Sequence, residues 1–297
     1  MVVSFINFKG GVGKTTLCVE IAAALASSKG FKEKVLIIDL DPQTNATLSL
    51  MKEKAWEDHA TKNGTLKDFF EACYQDTVFD LSSIIVKEPV NYNGFLTNLD
   101  IIPSHIELFG MDLKLATKLG HENIKAKLFL KKALAKIQDV YSYVFIDCPP
   151  NLYLATQNGL FASDYYVIVA MAEYLSTLGI AHIQKSILSI FSEAEKLAAD
   201  IVSGASTFLP PKLLGIIFNR LRTIDHGTYS QESIIRLIND KYPNIVFEAR
   251  VPQSDKIATR AEEKVPIAVS GYAADKQYEE RMKELAEEFY ERVTRPQ

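Results

Sequence analysis

Short apolar runs of strand length recur along the chain, separated by stretches in which apolar residues return at helical spacing. Val2, Val3, Phe5, Ile6 and Phe8 form the first run, which ends at a glycine cluster. An apolar run without polar alternation is what a strand buried on both faces requires. Leu17, Ile21 and Leu25 then recur at helical spacing between Thr15 and Ser28, with alanines filling the turns and Gly30 ending the helix. Val35, Leu36, Ile37 and Ile38 read as a second buried strand. Strand, helix and strand in this order predict a βαβ unit with a right-handed crossover.

The alternation continues. Leu99–Ile102, Tyr143–Ile146, Tyr165–Met171, Leu213–Phe218 and Ile245–Phe247 read as strands. Helical patterns cover Ile106–Val140, with a break at Gly120, then Ser176–Val202 and Ser230–Lys241. Apolar strands alternating with helices predict an α/β fold with a doubly wound, mostly parallel sheet flanked by helices. Residues 52–98 are the least regular part and are expected to form an excursion at the sheet edge. Pro210-Pro211 is expected to be a loop, and a single domain is expected over residues 1–297.

A C-terminal helix is predicted at about residues 272–293, with Tyr278, Met282, Leu285 and Phe289 on one face. Glu279, Glu280, Glu284, Glu287, Glu288 and Glu291 occupy the other, which anionic lipid would repel. This helix is therefore expected to pack on the core, and membrane binding is not expected.

Composition changes this picture little. Hydrophobic residues make up 47% and charged residues 24%, so a sizeable core can form without disulfides. Cys18, Cys73 and Cys148 are scattered and lack the paired spacing of a metal site, which points to a reducing, cytoplasmic setting. No basic leader and no membrane-spanning apolar stretch is expected. The net charge of −4 gives no global sign of nucleic-acid binding, so any such contact must come from a local basic patch.

The chemistry concentrates in Lys9-Gly10-Gly11-Val12-Gly13-Lys14-Thr15-Thr16, between a strand and a helix. Phosphates need several backbone N–H donors converging on one point, and glycines let the chain curl tightly enough to supply them. The helix N-terminus adds partial positive charge. In such a loop Lys14 neutralises the β- and γ-phosphates of a nucleotide and the Thr15 hydroxyl ligates Mg²⁺. Phe8 stands where the generic motif has its first glycine, and Lys9 is an additional lysine.

This eight-residue sequence resembles the deviant Walker A motif of the ParA/MinD family of P-loop ATPases, and the chain is most similar to the partition ATPases of ParA type. The resemblance implies that Lys9 reaches across a sandwich dimer to the partner's ATP, so that the active form is an ATP-bound homodimer. Val35-Leu36-Ile37-Ile38-Asp39-Leu40-Asp41-Pro42-Gln43-Thr44-Asn45-Ala46-Thr47, the second strand and the turn after it, looks like the family's second signature. It implies that Asp41 positions the attacking water and that Asp39 supports Mg²⁺ or a local hydrogen-bond network. By spacing alone, such a pair could equally be a helix N-cap and a turn. The family usually has glycine where Thr44 stands.

Val144–Pro150 resembles the Walker B strand, which implies that Asp147 holds Mg²⁺ through its water shell. Cys148 is expected to be a packing residue. Asn219-Arg220 and the loop Val251-Pro252-Gln253-Ser254-Asp255 are similar to segments beside the adenine in this family, which makes Asn219, Arg220, Pro252 and Asp255 base-contact candidates. The family's S-E-A-P sequence is absent, and Thr259-Arg260-Ala261-Glu262-Glu263 occupies its neighbourhood.

The resemblance implies slow ATP hydrolysis acting as a timed switch. In the first reading the ATP dimer binds nonspecific DNA, associates with the nucleoid and segregates a plasmid or chromosome with a ParB-like partner. The alternatives are positioning of another cargo, such as a carboxysome or chemosensory cluster, through an adaptor, and a MinD-like membrane switch. DNA candidates are Arg222, Arg250, Lys256 and Arg260, with Arg220, Arg236 and Lys264 nearby, although Glu262 and Glu263 dilute the cluster. Contacts of this kind would be to phosphates and salt-dependent. With the phosphate loop starting at residue 9, no N-terminal helix-turn-helix is expected.

Overall fold

The computed structural model describes residues 1–90, 96–119, 124–201, 208–222 and 228–295. Its strands are β1 (Val2–Ile6), β2 (Val35–Asp39), β3 (Val86–Lys87), β4 (Leu99–Ile102), β5 (Tyr143–Asp147), β6 (Tyr165–Met171) and β7 (Lys212–Asn219). They form one sheet in the order β3-β4-β2-β5-β1-β6-β7. Neighbours are parallel throughout except for the antiparallel edge pair β3 and β4.

Helix α1 (Lys14–Ala26) follows β1, and α2 (Asn45–Leu50), α3 (Glu53–Lys62) and α4 (Leu66–Gln75) lie between β2 and β3. Helices α5 (Leu108–Leu119), α6 (Ile124–Lys127) and α7 (Phe129–Leu134) connect β4 to β5. Next come α8 (Leu154–Ala162), before β6, and α9 (Tyr174–Ile201), before β7. Helices α10 (Tyr229–Lys241), α11 (Asp255–Glu262) and α12 (Lys276–Thr294) close the chain.

Two expectations need correction. Ile245–Phe247 forms no strand but a single bridge between Ile216 and Val246. Asn244, at φ 64°, turns the chain just before it. The segment exchanges two hydrogen bonds with Ile216, both 2.9 Å, while the Phe247 ring packs so closely on Gly215 that a Cβ there would lie 2.4 Å away. Residues 52–90 are more regular than their mixed composition suggests, holding α3, α4, a 3-10 turn at Leu81–Ile84 and β3. The helix predicted over Ile106–Val140 divides into α5, α6 and α7, and the break placed at Gly120 lies outside the described residues, as does Val202.

Strand alternation sorts the core into two layers. Val3, Phe5, Val35, Ile37, Phe145 and Val167 face α1 and α12. Leu36, Ile38, Val144 and Ile146 lie under α4, α5 and α7, and Ile6, Ile168, Ile216 and Phe218 under α8, α9 and α10. α1 is buried from Leu17 to Ala26, wedged between the sheet and α12, which is why its turns are filled by alanine. α12 buries Met282, Leu285, Ala286 and Phe289, the last edge-on to Phe145 at 5.1 Å. Its apolar face is thereby covered. Among the described residues no helix is long and apolar enough to cross a membrane.

One buried carboxyl group ties α1 to the turn at Ile267–Val269. Glu20 of α1 is 4% exposed, and its two carboxylate oxygens accept the N–H groups of Ile267 at 3.0 Å and Ala268 at 2.8 Å. Burial outweighs these bonds and raises its pKa from 4.5 to about 7. A carboxyl group whose pKa is higher in the folded state stabilises the fold most below its unfolded value and loses that contribution as pH rises through the folded value. The interval from 4.5 to about 7 is worth about 3 kcal/mol. Glu20→Gln, neutral throughout, is therefore expected to gain about 3 kcal/mol relative to wild type between pH 4.5 and 8. Asp39, also raised to about 7, is common to both proteins and cancels in the difference. Urea unfolding of both proteins across this range checks the slope, and a pH-independent difference would contradict it.

Candidate nucleotide site

The sheet order places β5 between β2 and β1, so the carboxyl ends of these three strands converge. This is where ligands bind in a doubly wound sheet. β1 delivers the loop Lys9–Gly13, β2 delivers Asp39 and Asp41, and β5 delivers Asp147.

The loop is shaped from both ends. At its start, Asn7 donates to the Val169 carbonyl at 2.7 Å and accepts the Lys9 N–H at 2.8 Å. Gly11 at φ 75° and Gly13 at φ 91° adopt left-handed backbone conformations. At its end, Asn219 donates its amide to the Val12 carbonyl at 2.8 Å. A Cβ on Gly13 would lie 2.1 Å from the Asn219 nitrogen. Gly13→Ala is thus expected to cost about 1–3 kcal/mol of stability through the backbone conformation. It is also expected to weaken ATP binding by at least about tenfold, because the prop and the converging amides move together. Calorimetric titration with ATP and thermal unfolding separate the two effects.

Behind the loop, Lys14 is 6% exposed at the head of α1. Burial lowers its pKa, and the carboxylates of Asp147 and Asp41 act in the opposite direction. Asp147 is fully buried, and neither of its oxygens has a hydrogen-bond partner. Burial, followed by the charge of Asp39, raises its pKa well above the usual carboxylate range, while the nearby Thr15 side chain and Lys14 lower it without supplying an aligned bond. An orphaned buried carboxylate is costly. Its presence beside a threonine hydroxyl and a phosphate loop fits Mg²⁺, which is held by one or two protein oxygens together with waters and substrate phosphates. Among the described residues no group of three or more His, Cys, Asp or Glu side chains is placed to hold a metal ion by itself.

Asp39 has a different geometry. One oxygen accepts the Thr47 hydroxyl at 2.7 Å and the Thr47 N–H at 2.9 Å, and the other accepts the Asp41 N–H at 3.2 Å. Thr47 in turn accepts the Ser104 N–H at 3.0 Å, and the Ser104 hydroxyl donates to the Asp41 carbonyl at 2.8 Å. These bonds occupy Asp39 in bracing the β2–α2 loop. Asp41 is buried but uses only one oxygen within the loop, accepting the Gln43 N–H at 2.9 Å. Thr44 sits at φ 56°, left-handed backbone that a β-branched residue adopts only under strain. Cys148 is fully buried against α8, 3.3 Å from where a Cβ on Gly159 would lie.

Lys9 lies apart from this buried cluster, half exposed, with its ammonium on Glu173 at 2.5 Å. On the far side, Leu221 exchanges hydrogen bonds with Val251 at 3.0 Å and Gln253 at 2.8 Å, joining Asn219-Arg220 to the Val251–Asp255 loop. Pro252 is buried there, Asp255 is exposed, and Ser254 caps α11. Asn219 spends its amide on the phosphate loop.

The four DNA candidates do not form one free basic surface. Arg260 is engaged by Asp275 at 2.6 Å, by Glu263 and by the Tyr272 ring. Lys256 donates to the Ala274 carbonyl and Arg250 to the Phe247 carbonyl, whereas Arg222 is exposed. A groove of about 840 Å³ between α10 and α12 holds none of the motif residues and is lined by side chains that pair with one another, such as Arg292 with Glu288 at 2.8 Å. Sequence reasoning missed Asn7, Ser104 and Glu173, and gave Thr47 no role beyond its place in the second signature. Of these, only Asn7, a polar residue closing an apolar strand, left a readable signal.

Residues 1–199 match a protein family described as an AAA domain. The chain is 35% identical to the Bacillus subtilis sporulation initiation inhibitor protein Soj over 186 residues, covering 63% of this chain and 64% of that protein. It is 28% identical to the Treponema pallidum chromosome-partitioning ATPase Soj over 271 residues, covering 89% and 87%. The chain thus spans slightly less than two thirds of the Bacillus protein and most of the Treponema protein. Among solved structures, Cyanothece McdA in complex with ATP superposes over all of this chain and 97% of its own, with a TM-score of 0.72 at 20% identity. That likeness is one of fold.

Proposed function

The chain belongs to the ParA family of P-loop ATPases, and from this premise we propose that it is a partition ATPase, an ATP-driven dimerisation switch that grips nonspecific DNA in its ATP state. One observation carries the reading. The orphaned carboxylate of Asp147, beside Thr15 and Lys14, marks a prepared nucleotide site, and a second lysine, Lys9, stands outside it on Glu173.

The backbone amides of Gly10 to Thr16 and the Lys14 ammonium bind the phosphates of ATP. Thr15 and Asp147 are the residues that would hold Mg²⁺, which when bound neutralises charge on the β- and γ-phosphates. Asp41, with an oxygen not used by its own loop, orients the water for in-line attack. Asp39 keeps Asp41 in place. Lys9 leaves Glu173 and adds its charge to the partner's ATP, so that the γ-phosphate holds the dimer and its loss releases it. Asn219, Arg220, Pro252 and Asp255 border the base.

The exposed guanidinium of Arg222 contacts DNA phosphates first. Lys256, Arg250 and Arg260 join it only by exchanging their present partners. A ParB-like protein stimulates hydrolysis, and the protein works in the cytoplasm, on the nucleoid while ATP is bound. A membrane switch is disfavoured because α12 has already buried its apolar face.

The test is binding to nonspecific duplex DNA with Mg-ATP, Mg-ADP and no nucleotide, across a salt series. Tight, salt-sensitive binding with ATP alone is expected. Absence of binding in all three states would rule out the DNA role and leave a cargo held through a protein adaptor.

A further inference from the structure

Four residues close a ring of hydrogen bonds behind Asp41. Thr47 donates its hydroxyl to Asp39 at 2.7 Å and accepts the Ser104 N–H at 3.0 Å. Ser104 donates its hydroxyl to the Asp41 carbonyl at 2.8 Å, and the Asp41 N–H returns to Asp39 at 3.2 Å. Asp39, Thr47 and Ser104 are fully buried and Asp41 nearly so. The ring is closed without help from outside. It nevertheless has a handle, because the Ser104 carbonyl accepts the indole N–H of Trp56 at 3.0 Å.

Trp56 is the only tryptophan in the chain. It sits on α3, where Glu53, Lys54, Glu57 and Asp58 around it are exposed. Its ring lies on His105, with centroids 5.5 Å apart and planes at 31°, and it reaches the core layer that faces α1 and α12. His105 directly follows Ser104, so Trp56 grips the carbonyl of one residue and the ring of the next. The peptide unit between them is planar, and both contacts bear on its orientation. With the Ser104 N–H held by Thr47 on the other side, the Ser104 hydroxyl has one direction left, towards the Asp41 carbonyl. A tryptophan that only seated α3 would need its ring alone. The indole nitrogen is a donor and nothing else, and a half-buried side chain can leave it in water. Here it is turned inward onto the residue that holds Asp41.

We infer that Trp56 is a positioning residue for hydrolysis, which sets the placement of Asp41 through Ser104. The inference rests on the role of Asp41 proposed above and extends that machinery to α3. Misplacing a group at the reacting centre by about 1 Å costs up to about 10²-fold in rate. The phosphate loop is propped separately, by Asn7 and Asn219. Loss of the indole N–H therefore acts on kcat and spares ATP binding.

Trp56→Phe keeps an aromatic ring on His105 and removes the N–H, while Ser104→Ala removes the hydroxyl and keeps the carbonyl. Each should slow single-turnover phosphate release by about 10- to 100-fold. ATP affinity by equilibrium dialysis and sedimenting mass with Mg-ATP should match wild type. Both changes cut the same chain of bonds, so the double variant should be no slower than the slower single one. For the same reason, Trp56→Phe added to Asp41→Ala should change the residual rate by less than about twofold. If Trp56→Phe does not fold, replacing the single tryptophan with its benzothiophene analogue, which has the same shape and no N–H, makes the same test. Wild-type hydrolysis in the Trp56 variants beside a slow Asp41→Ala would overturn this inference alone, as would a full further loss on the Asp41→Ala background. Asp41→Ala that hydrolyses as fast as wild type would overturn the role of Asp41 and this inference together.

Discussion

Lys9→Ala is expected to yield a folded protein that binds ATP with near wild-type affinity, stays monomeric with it and hydrolyses it about 10³-fold more slowly. The buried site does not depend on this side chain. Lys14, Thr15 and Asp147 are assembled by β1, α1 and β5, and the loop is propped by Asn7 and Asn219 through contacts that do not involve the Lys9 ammonium. Lys9 pairs with Glu173 in the protomer, and in the proposed dimer its cation would serve a partner's γ-phosphate. A charge supplied in trans to a phosphoryl-transfer transition state contributes about 10³–10⁵-fold to rate, so its loss should dominate hydrolysis while sparing binding. Equilibrium dialysis with labelled ATP, sedimentation and phosphate release measure the three quantities. A Lys9→Ala protein that dimerises fully on ATP would refute the role in trans.

The second large effect is expected at Asp41. Asp41→Ala should keep ATP binding and dimerisation and lower hydrolysis by about 10²–10³-fold, the contribution of a residue that positions the nucleophile. The dimer should consequently persist after free ATP is removed. Asp41 is suited to the task because its loop is held rigidly from behind: Asp39 is saturated by Thr47 and by the Asp41 N–H, and Ser104 fixes the Asp41 carbonyl. The remaining Asp41 oxygen is the movable part of a fixed frame. Single-turnover phosphate release and dimer lifetime after dilution into ATP-free buffer check both halves of the expectation. Dimers that dissociate as fast as wild type would refute it.

Much of this was legible in the residues. Apolar runs identified the strands that became β1, β2 and β4 to β7, because strands buried on both faces carry no alternation to confuse with a helix. The same signal misled at Ile245–Phe247, where Ile245 and Val246 pack in the layer of α9 and α10, Phe247 packs on Gly215, and the backbone meets β7 at only one bridge. β3 and the helices of residues 53–75 were hidden because short, half-exposed elements mix charged and aromatic residues. α3 has no fully buried side chain, and only half-buried ones such as Trp56 reach the core.

At the site, glycines before a lysine and threonine announced the phosphate loop, and the structure brings Lys14, Thr15 and Asp147 together there. The bracing of Asp39 was not legible, since Ser104 joins it from 57 residues beyond Thr47. Nor was the fate of Arg260, whose charge shows in the sequence while its partner Asp275 is supplied by a later turn. Motifs report groups that meet a ligand. The groups that hold them in place are chosen by tertiary proximity.

The most direct test of the account is the mass of the wild-type protein by sedimentation without nucleotide, with Mg-ADP and with Mg-ATP. The account predicts monomer in the first two states and dimer in the third. A monomer in Mg-ATP, or the same dimer in all three states, would contradict a nucleotide-driven switch.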